Sequence, residues 1–316
     1  MAQITDTIMM VRPVAFRMNE ETAVNNYFQE QFDGDADAVN RQAQAEFDAF
    51  VAKLRQAGVN VLVVDDVLEN NTPDSIFPNN WVSFHSDGTV GLYPMFAENR
   101  RRERREDVLE LIEEQGFHIV QLIDYTTAEE EEIFLEGTGS LLLDRDNKKA
   151  YCALSPRADE ELFIEFCEDF EYDPVVFNAY QTVDGTRLQI YHTNVMMALA
   201  EDFAVVCLNS IDDKKERKNL VQHIKSSGKE ILNITEDQMH HFAGNMLQVK
   251  ATDGTRYMVM SQAAHKSLSQ EQIDFIEARC PILSSDLTVI ETCGGGSARC
   301  MMAEIFLPKE TSLEIA

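Results

Sequence analysis

Val195-Met-Met-Ala-Leu199, Ala204-Val-Val-Cys-Leu208, the amphipathic stretch Lys214–Ser226 and Glu230-Ile-Leu-Asn-Ile234 follow one another with only short polar gaps. Apolar runs of four or five residues without alternation fit strands buried on both faces. The longer stretch between the second and third runs carries the period of a helix with one buried face. The unit is therefore strand, strand, helix, strand, and it recurs. Trp81-Val-Ser-Phe84 and Val90-Gly-Leu-Tyr93 precede a helix over Arg100–Glu114 and the run His118-Ile-Val-Gln-Leu-Ile123. Ser140-Leu-Leu-Leu143 and Ala150-Tyr-Cys-Ala-Leu154 precede a helix over Asp159–Phe170 and Val175-Val-Phe177. Met246-Leu-Gln-Val249 and Tyr257-Met-Val-Met260 precede a helix over Gln270–Ala278 and a strand over Leu287-Thr-Val-Ile290. A looser N-terminal copy runs from Ile8-Met-Met-Val11 through a helix over Ala38–Gln56 to Val59-Asn-Val-Leu-Val-Val64.

Each unit opens at a small or amide residue. These are Asn80, Gly139, Asn194, Asn245 and Ser297, spaced 59, 55, 51 and 52 residues apart. Units that bury a face against their neighbours form a stacked or closed array, with strands at the centre and helices outside. Equivalent junctions then meet at one end of the axis.

The residues at those junctions carry chemistry. Asp74 lies in Pro73-Asp-Ser-Ile-Phe-Pro-Asn-Asn-Trp81, Glu136 in Leu135-Glu-Gly-Thr-Gly-Ser140 and His192 in Tyr191-His-Thr-Asn194. Asn245 lies in Ala243-Gly-Asn-Met246, and Cys300 ends Cys293-Gly-Gly-Gly-Ser-Ala-Arg-Cys300. Taken singly each has an ordinary explanation: a buried structural cysteine, a core histidine, a turn carboxylate. Their common phase in the repeat points instead to covalent catalysis, with a thiol, a proton-transfer group and orienting carboxylates.

Composition narrows the class. The chain has 316 residues, 44% of them hydrophobic, enough for a substantial core. A formal charge of −28 argues against nucleic acid as a partner. No apolar run approaches the roughly 20 residues of a membrane span, and the N-terminus lacks the pattern of a signal peptide. The six cysteines form no C-x-x-C pair, so neither a zinc site nor a disulfide framework is suggested. These features point to a reduced, cytoplasmic setting and a small-molecule partner. The oligomeric state is left open, a homodimer included.

Together, Asp74, Glu136-Gly, His192-Thr-Asn194 and a C-terminal cysteine after glycines, set on a five-unit pattern, resemble the pentein superfamily. These are guanidino-group-modifying enzymes such as arginine deiminase, dimethylarginine dimethylaminohydrolase and arginine:glycine amidinotransferase. The segments Pro73–His85, Tyr93–Arg105, Phe134–Ser140 and Cys293–Met301 look most like its citrulline-utilisation hydrolase branch, and the resemblance covers about residues 8 to 308. It implies an α/β fold, a five-bladed propeller of ββαβ units, as one catalytic domain over 1–316 with a tail at 309–316. It also implies Cys300 as nucleophile, His192 as acid and base, Glu136 orienting His192, and Asp74 on the substrate's terminal nitrogens. Neither a cofactor nor a metal is expected.

Guanidinium-binding relatives usually carry His-x-Asp where this chain has His192-Thr-Asn194. A cation in a dry pocket demands paired negative charge, whereas a neutral ureido oxygen can accept from an amide. The change favours citrulline, converted to ornithine, ammonia and carbon dioxide. Arginine deiminase, dihydrolase or amidinotransferase activity is the alternative, and a non-catalytic pentein binding protein stands against both. Asn80 and Asn194 join Asp74 as substrate-binding candidates. Asn99-Arg-Arg-Arg-Glu-Arg-Arg105 is a concentrated positive stretch. It offers Arg100 and Arg101 for the substrate carboxylate, with a solvated helix start as the plainer explanation. His240-His241 has no evident third metal ligand and is expected to pack.

Overall fold

The structure, a computed structural model, describes residues 2–32 and 34–309. Five three-stranded sheets share one topology, with an antiparallel pair followed by a third strand parallel to the second. Unit II comprises Val82–Phe84, Thr89–Leu92 and Gln121–Asp124. Unit III comprises Leu141–Asp144, Lys149–Leu154 and Asp173–Asn178, and unit IV comprises Met197–Leu199, Phe203–Val206 and Glu230–Asn233. Unit V comprises Leu247–Lys250, Arg256–Ser261 and Ile282–Ser285. Unit I is assembled from both ends of the chain: Ala303–Glu304 pairs with Thr7–Arg12, which pairs with Asn60–Asp65.

Parallel second and third strands require a crossover, and each unit supplies a helix there. These are Ala36–Gln56, Glu106–Glu114, Glu160–Asp169, Lys214–Ser226 and, in unit V, Gln262–Ser267 with Gln270–Glu277. Asp35, Asp159, Asp213 and Ser269 cap their helices by accepting from first-turn amides. The first two strands of unit IV are wholly buried, which explains their unalternating apolar sequence. Helix Glu160–Asp169 turns Phe163, Phe166 and Cys167 inward, and Phe166 stacks on Phe170 at 4.7 Å. A buried phenylalanine of this kind contributes about 1.5–3 kcal/mol.

Neighbouring units touch through their first strands. Ala303–Glu304 lies beside Val82–Phe84, Leu141–Asp144 beside Met197–Leu199, and the latter beside Leu247–Lys250. Helix Ala36–Gln56 packs on strand Ile282–Ser285, joining unit V to unit I. Among the described residues no helix is long and apolar enough to cross a membrane.

The structure departs from the sequence pattern in three places. The run Leu287–Ile290 is not a strand: Thr288–Gly294 is a helix, and the strand of unit V is Ile282–Ser285. Glu46, from the helix of unit I, accepts the Val289 and Ile290 amides and so fixes that helix start. The expected helix at Arg100 begins instead as a 3₁₀ turn, Glu98–Glu103, with Arg104 extended before Glu106–Glu114. A hairpin, Tyr180–Val183 with Thr186–Gln189, is inserted between units III and IV. Its Asp184-Gly185 turn, both residues at positive φ, was the available signal. Most of the expected C-terminal tail, 310–316, lies outside the described residues.

Candidate active site

The junctions before the first strands converge. Asn80 ends the turn Pro78–Asn80, Glu136 precedes the helical turn Gly137–Ser140, and His192 precedes the turn Thr193–Val195. Cys300 lies just before Ala303–Glu304. A narrow cavity is lined by Asp74, Asn80, Arg100, His192 and Cys300, with Asn26, Phe77, Arg157, Tyr191, Gly294 and Gly296.

The glycines make room for rings rather than for a loop in motion. A Cβ on Gly294 would meet the Phe77 ring at 2.8 Å, and one on Gly139 would meet Nδ1 of His192 at 2.8 Å. Of the run 294–296, only Gly295 has positive φ, where it ends the helix Thr288–Gly294.

His192 Nε2 lies 2.7 Å from Glu136 Oε2. Burial works to raise the pKa of Glu136. Arg157, the His192 hydrogen bond and Arg100 outweigh it and hold the carboxylate well below its ordinary value. Phe96 donates its backbone N–H to the other oxygen at 3.0 Å. An ionised Glu136 only accepts, so Nε2 of His192 carries the proton and Nδ1 keeps its lone pair. Burial pushes His192 down to about 4, against the pull of Glu136, so the ring rests neutral.

The Cys300 sulfur receives two side-chain amides. Asn245 Nδ2 lies 3.2 Å away and Asn194 Nδ2 3.4 Å away. Asn245 is itself fixed, donating to Asn194 O and accepting from the Arg299 amide. Two N–H groups aimed at one sulfur suit an oxyanion formed beside it. Asn194 Oδ1 has no hydrogen-bond partner and is buried.

Asp74 takes Asn19 Nδ2 at 2.7 Å and Thr22 Oγ1 at 3.2 Å on one oxygen. Its other oxygen, Oδ1, is buried without a partner among the described residues. Burial raises the Asp74 pKa, partly offset by Arg100 and Asn19. An unpartnered carboxylate oxygen at a cavity wall is an open acceptor for a ligand N–H.

Asp74, Asn80, Arg100, His192 and Cys300 thus line one cavity, with Glu136 behind His192 and Asn194 beside the sulfur. Arg100 is fully engaged: Glu103 takes Nε at 2.8 Å and Nη2 at 2.9 Å, and Asn80 takes Nη1 at 2.8 Å. Burial opposes its charge, yet Glu103, Asp74 and Glu136 outweigh that and raise its pKa. Arg101 is not brought to the cavity. Its Nε donates to Met95 O at 3.1 Å and lies 3.4 Å from Glu129, which corrects its assignment to the substrate. Consecutive residues of a 3₁₀ turn point apart, so only one of the pair can face inward. His240 packs edge-on against Phe28, and His241 bonds back to Asp237 O.

Sequence reasoning missed Arg157, Tyr191 and the segment from Asn19 to Gln29. Arg157 sits 3.5 Å from Glu136, donates to Thr22 O and Asn25, and lies over the Tyr191 ring at 4.9 Å. The segment also bonds Gly294 O through Asn26 and Cys293 O through Gln29. Its one signal was a run rich in amide side chains that fits no unit of the repeat.

Three solved structures share the fold. An arginine dihydrolase of the cyanobacterial ornithine-ammonia cycle, ArgZ, superposes with a TM-score of 0.72 at 17% identity, over 96% of this chain and 41% of that one. AgrE, solved with ornithine and NAD+, gives 0.72 at 16% identity, over 97% and 40%. A dimethylarginine dimethylaminohydrolase variant, solved as an adduct with S-methyl-L-thiocitrulline, gives 0.62 at 13% identity, over 96% and 100%. The chain therefore spans about two-fifths of the length of ArgZ and AgrE. No curated protein matches the sequence. Fold and site define a pentein, a member of the superfamily of guanidino-modifying enzymes. The family model described as N,N dimethylarginine dimethylhydrolase, eukaryotic, matches residues 12–307, and the chain belongs to that family.

Proposed function

We propose that this protein is a hydrolase that cleaves the ureido C–N bond of citrulline through a covalent intermediate on Cys300. The observation that carries this reading is the pair of neutral amides, Asn194 and Asn245, on the Cys300 sulfur. A ureido carbonyl oxygen placed there would find donors, whereas a guanidinium has no acceptor oxygen to offer them.

The thiolate attacks the ureido carbon, and the oxygen takes up negative charge between the two amides. Nδ1 of His192 takes the thiol proton as the thiolate forms and passes it to the departing amine, so the C–N bond to the side chain breaks and ornithine leaves. Nδ1 of neutral His192 then takes a proton from water, which attacks the S-carbamoyl group. The thiolate is released with carbamic acid, which decomposes to ammonia and carbon dioxide. Glu136 holds the ring and compensates its transient charge. Asp74 Oδ1 accepts from the terminal NH₂ and Asn80 shapes the wall, while the buried charges of Arg100 and Arg157 line the same cavity.

Arginine is the second reading, favoured by the open Asp74 oxygen, which a guanidinium would use well. The dihydrolase neighbour ArgZ supports the same reading. First-strand contacts between units I and II, III and IV, and IV and V, with the helix of unit I on the last strand of unit V, support a closed five-bladed propeller, folded as one catalytic domain. Incubation with citrulline and arginine, with ornithine, citrulline and ammonia quantified, tests the proposal. Ornithine from citrulline is expected. Turnover of arginine with inert citrulline would overturn it.

A further inference from the structure

The catalytic junctions precede the first strands, so those strands run away from the active site. Their far ends line a second cavity, where Leu143, Leu199, Gln248 and Glu304 meet Arg145 and Arg299. Thr138 lies between the two cavities. It lines the second one, and its carbonyl accepts from Asn194 Nδ2 at 3.4 Å, the same nitrogen that faces Cys300.

Charge in this chamber is unbalanced. Its lining contains two guanidinium groups and one carboxylate. Arg299 is largely satisfied, donating to Met302 O at 2.8 Å and Glu304 Oε2 at 2.9 Å. Arg145 is not. It is 4% exposed, and its guanidinium makes no ion pair among the described residues, with the neutral Tyr172 hydroxyl as its polar neighbour. Its contact is the Phe306 ring, 4.0 Å from the centroid. Burial depresses the Arg299 pKa, Glu304 opposes this, and the charge of Arg145 adds to the depression. A buried cation without an anion is costly. Here one persists in a chain of net charge −28.

We propose that this chamber is a binding site for a small planar oxyanion of the carboxylate and bicarbonate class. Arg145 is its principal ligand and Arg299 the second cation. A guanidinium presents two parallel N–H groups that match two coplanar oxygens, which a spherical ion cannot use equally. The apolar side chains of Leu143 and Leu199 share the lining, so the site suits a small anion rather than a polyanion. The site does not depend on which substrate Cys300 attacks.

The test is titration of the intact protein with sodium formate, bicarbonate and chloride at constant ionic strength, followed by calorimetry and thermal unfolding. Formate or bicarbonate should bind and raise the unfolding temperature beyond any effect of chloride. Arg145→Met should weaken that binding about tenfold or more. A preference for bicarbonate identifies a three-oxygen ligand, and the reverse identifies a carboxylate; both support the site. Equal stabilisation by chloride, or an unchanged dissociation constant in Arg145→Met, overturns it. Should that variant fail to fold, a crystal structure of the wild-type protein in saturating formate decides. Planar density against Arg145 is expected, and an empty chamber refutes the proposal.

Discussion

Asn194→Asp is the most informative substitution in this site. The shape of the side chain is preserved, and at 1% exposure little water reaches it. Two effects follow. The N–H directed at Cys300 and Thr138 O is lost. One unmade hydrogen bond of this kind costs about 1–3 kcal/mol. The new carboxylate also stands 3.4 Å from the sulfur if it keeps the position of Nδ2. At an effective dielectric of about 20, two like charges at that distance repel by about 5 kcal/mol. A carboxyl ionises well before a thiol, so the cost falls on forming the thiolate. The pH at which iodoacetamide begins to alkylate Cys300 should therefore rise by about four units. Citrulline turnover at neutral pH should fall by at least about 100-fold, while affinity for arginine rises. The assay is the alkylation rate of Cys300 by mass spectrometry across pH, with the ratio of kcat/KM for citrulline to that for arginine. An onset displaced by less than about one pH unit would show that Asn194 does not face the thiolate. An unmoved ratio would remove it as the discriminator.

Cys300→Ser should lose at least about 10³-fold in turnover, roughly 4 kcal/mol of barrier, with unchanged circular dichroism; retention of a tenth of the activity rules out the nucleophile. His192→Gln should abolish turnover yet leave Cys300 open to alkylation. It should also alter stability in acid. From pH 6.5 down to about 4 the unfolded chain binds a proton that buried His192 refuses, so the folded state loses up to about 3 kcal/mol. Glu291, raised by burial to about 7, acts with the opposite sign between pH 4.5 and 7. The quantity to measure is therefore the difference between variant and wild type, which should favour the variant progressively as pH falls. A constant difference would mean that His192 protonates normally in the fold. Gly294→Ala places a methyl 2.8 Å from the Phe77 ring, which is 3% exposed and cannot swing into solvent. Denaturant unfolding should show a loss of about 1–3 kcal/mol, and an unchanged midpoint would mean that the ring yields freely.

The repeat was legible because strands buried on both faces leave apolar runs that no turn or exposed strand imitates, as in Ala204-Val-Val-Cys-Leu208. Its phase placed Asp74, Glu136, His192, Asn194, Asn245 and Cys300 at corresponding junctions before any contact was known. Sequence by itself thus determined the order of the units and the chemical types meeting at one end of the axis. Tertiary structure decided what local pattern leaves open. Leu287–Ile290 has the composition of a strand, and it is helical because Glu46, some 240 residues away, receives its first amides. Arg100 and Arg101 are indistinguishable as sequence. Glu103 and Asn80 draw the first inward, while Glu129 holds the second at the rim. Arg157 carries no local signal at all. Its burial depends on Glu136, on Asn25 and on the Tyr191 ring, each supplied by a different part of the chain. Partners that compensate a buried charge are chosen by the fold, because the cost of desolvation is settled only where those groups meet.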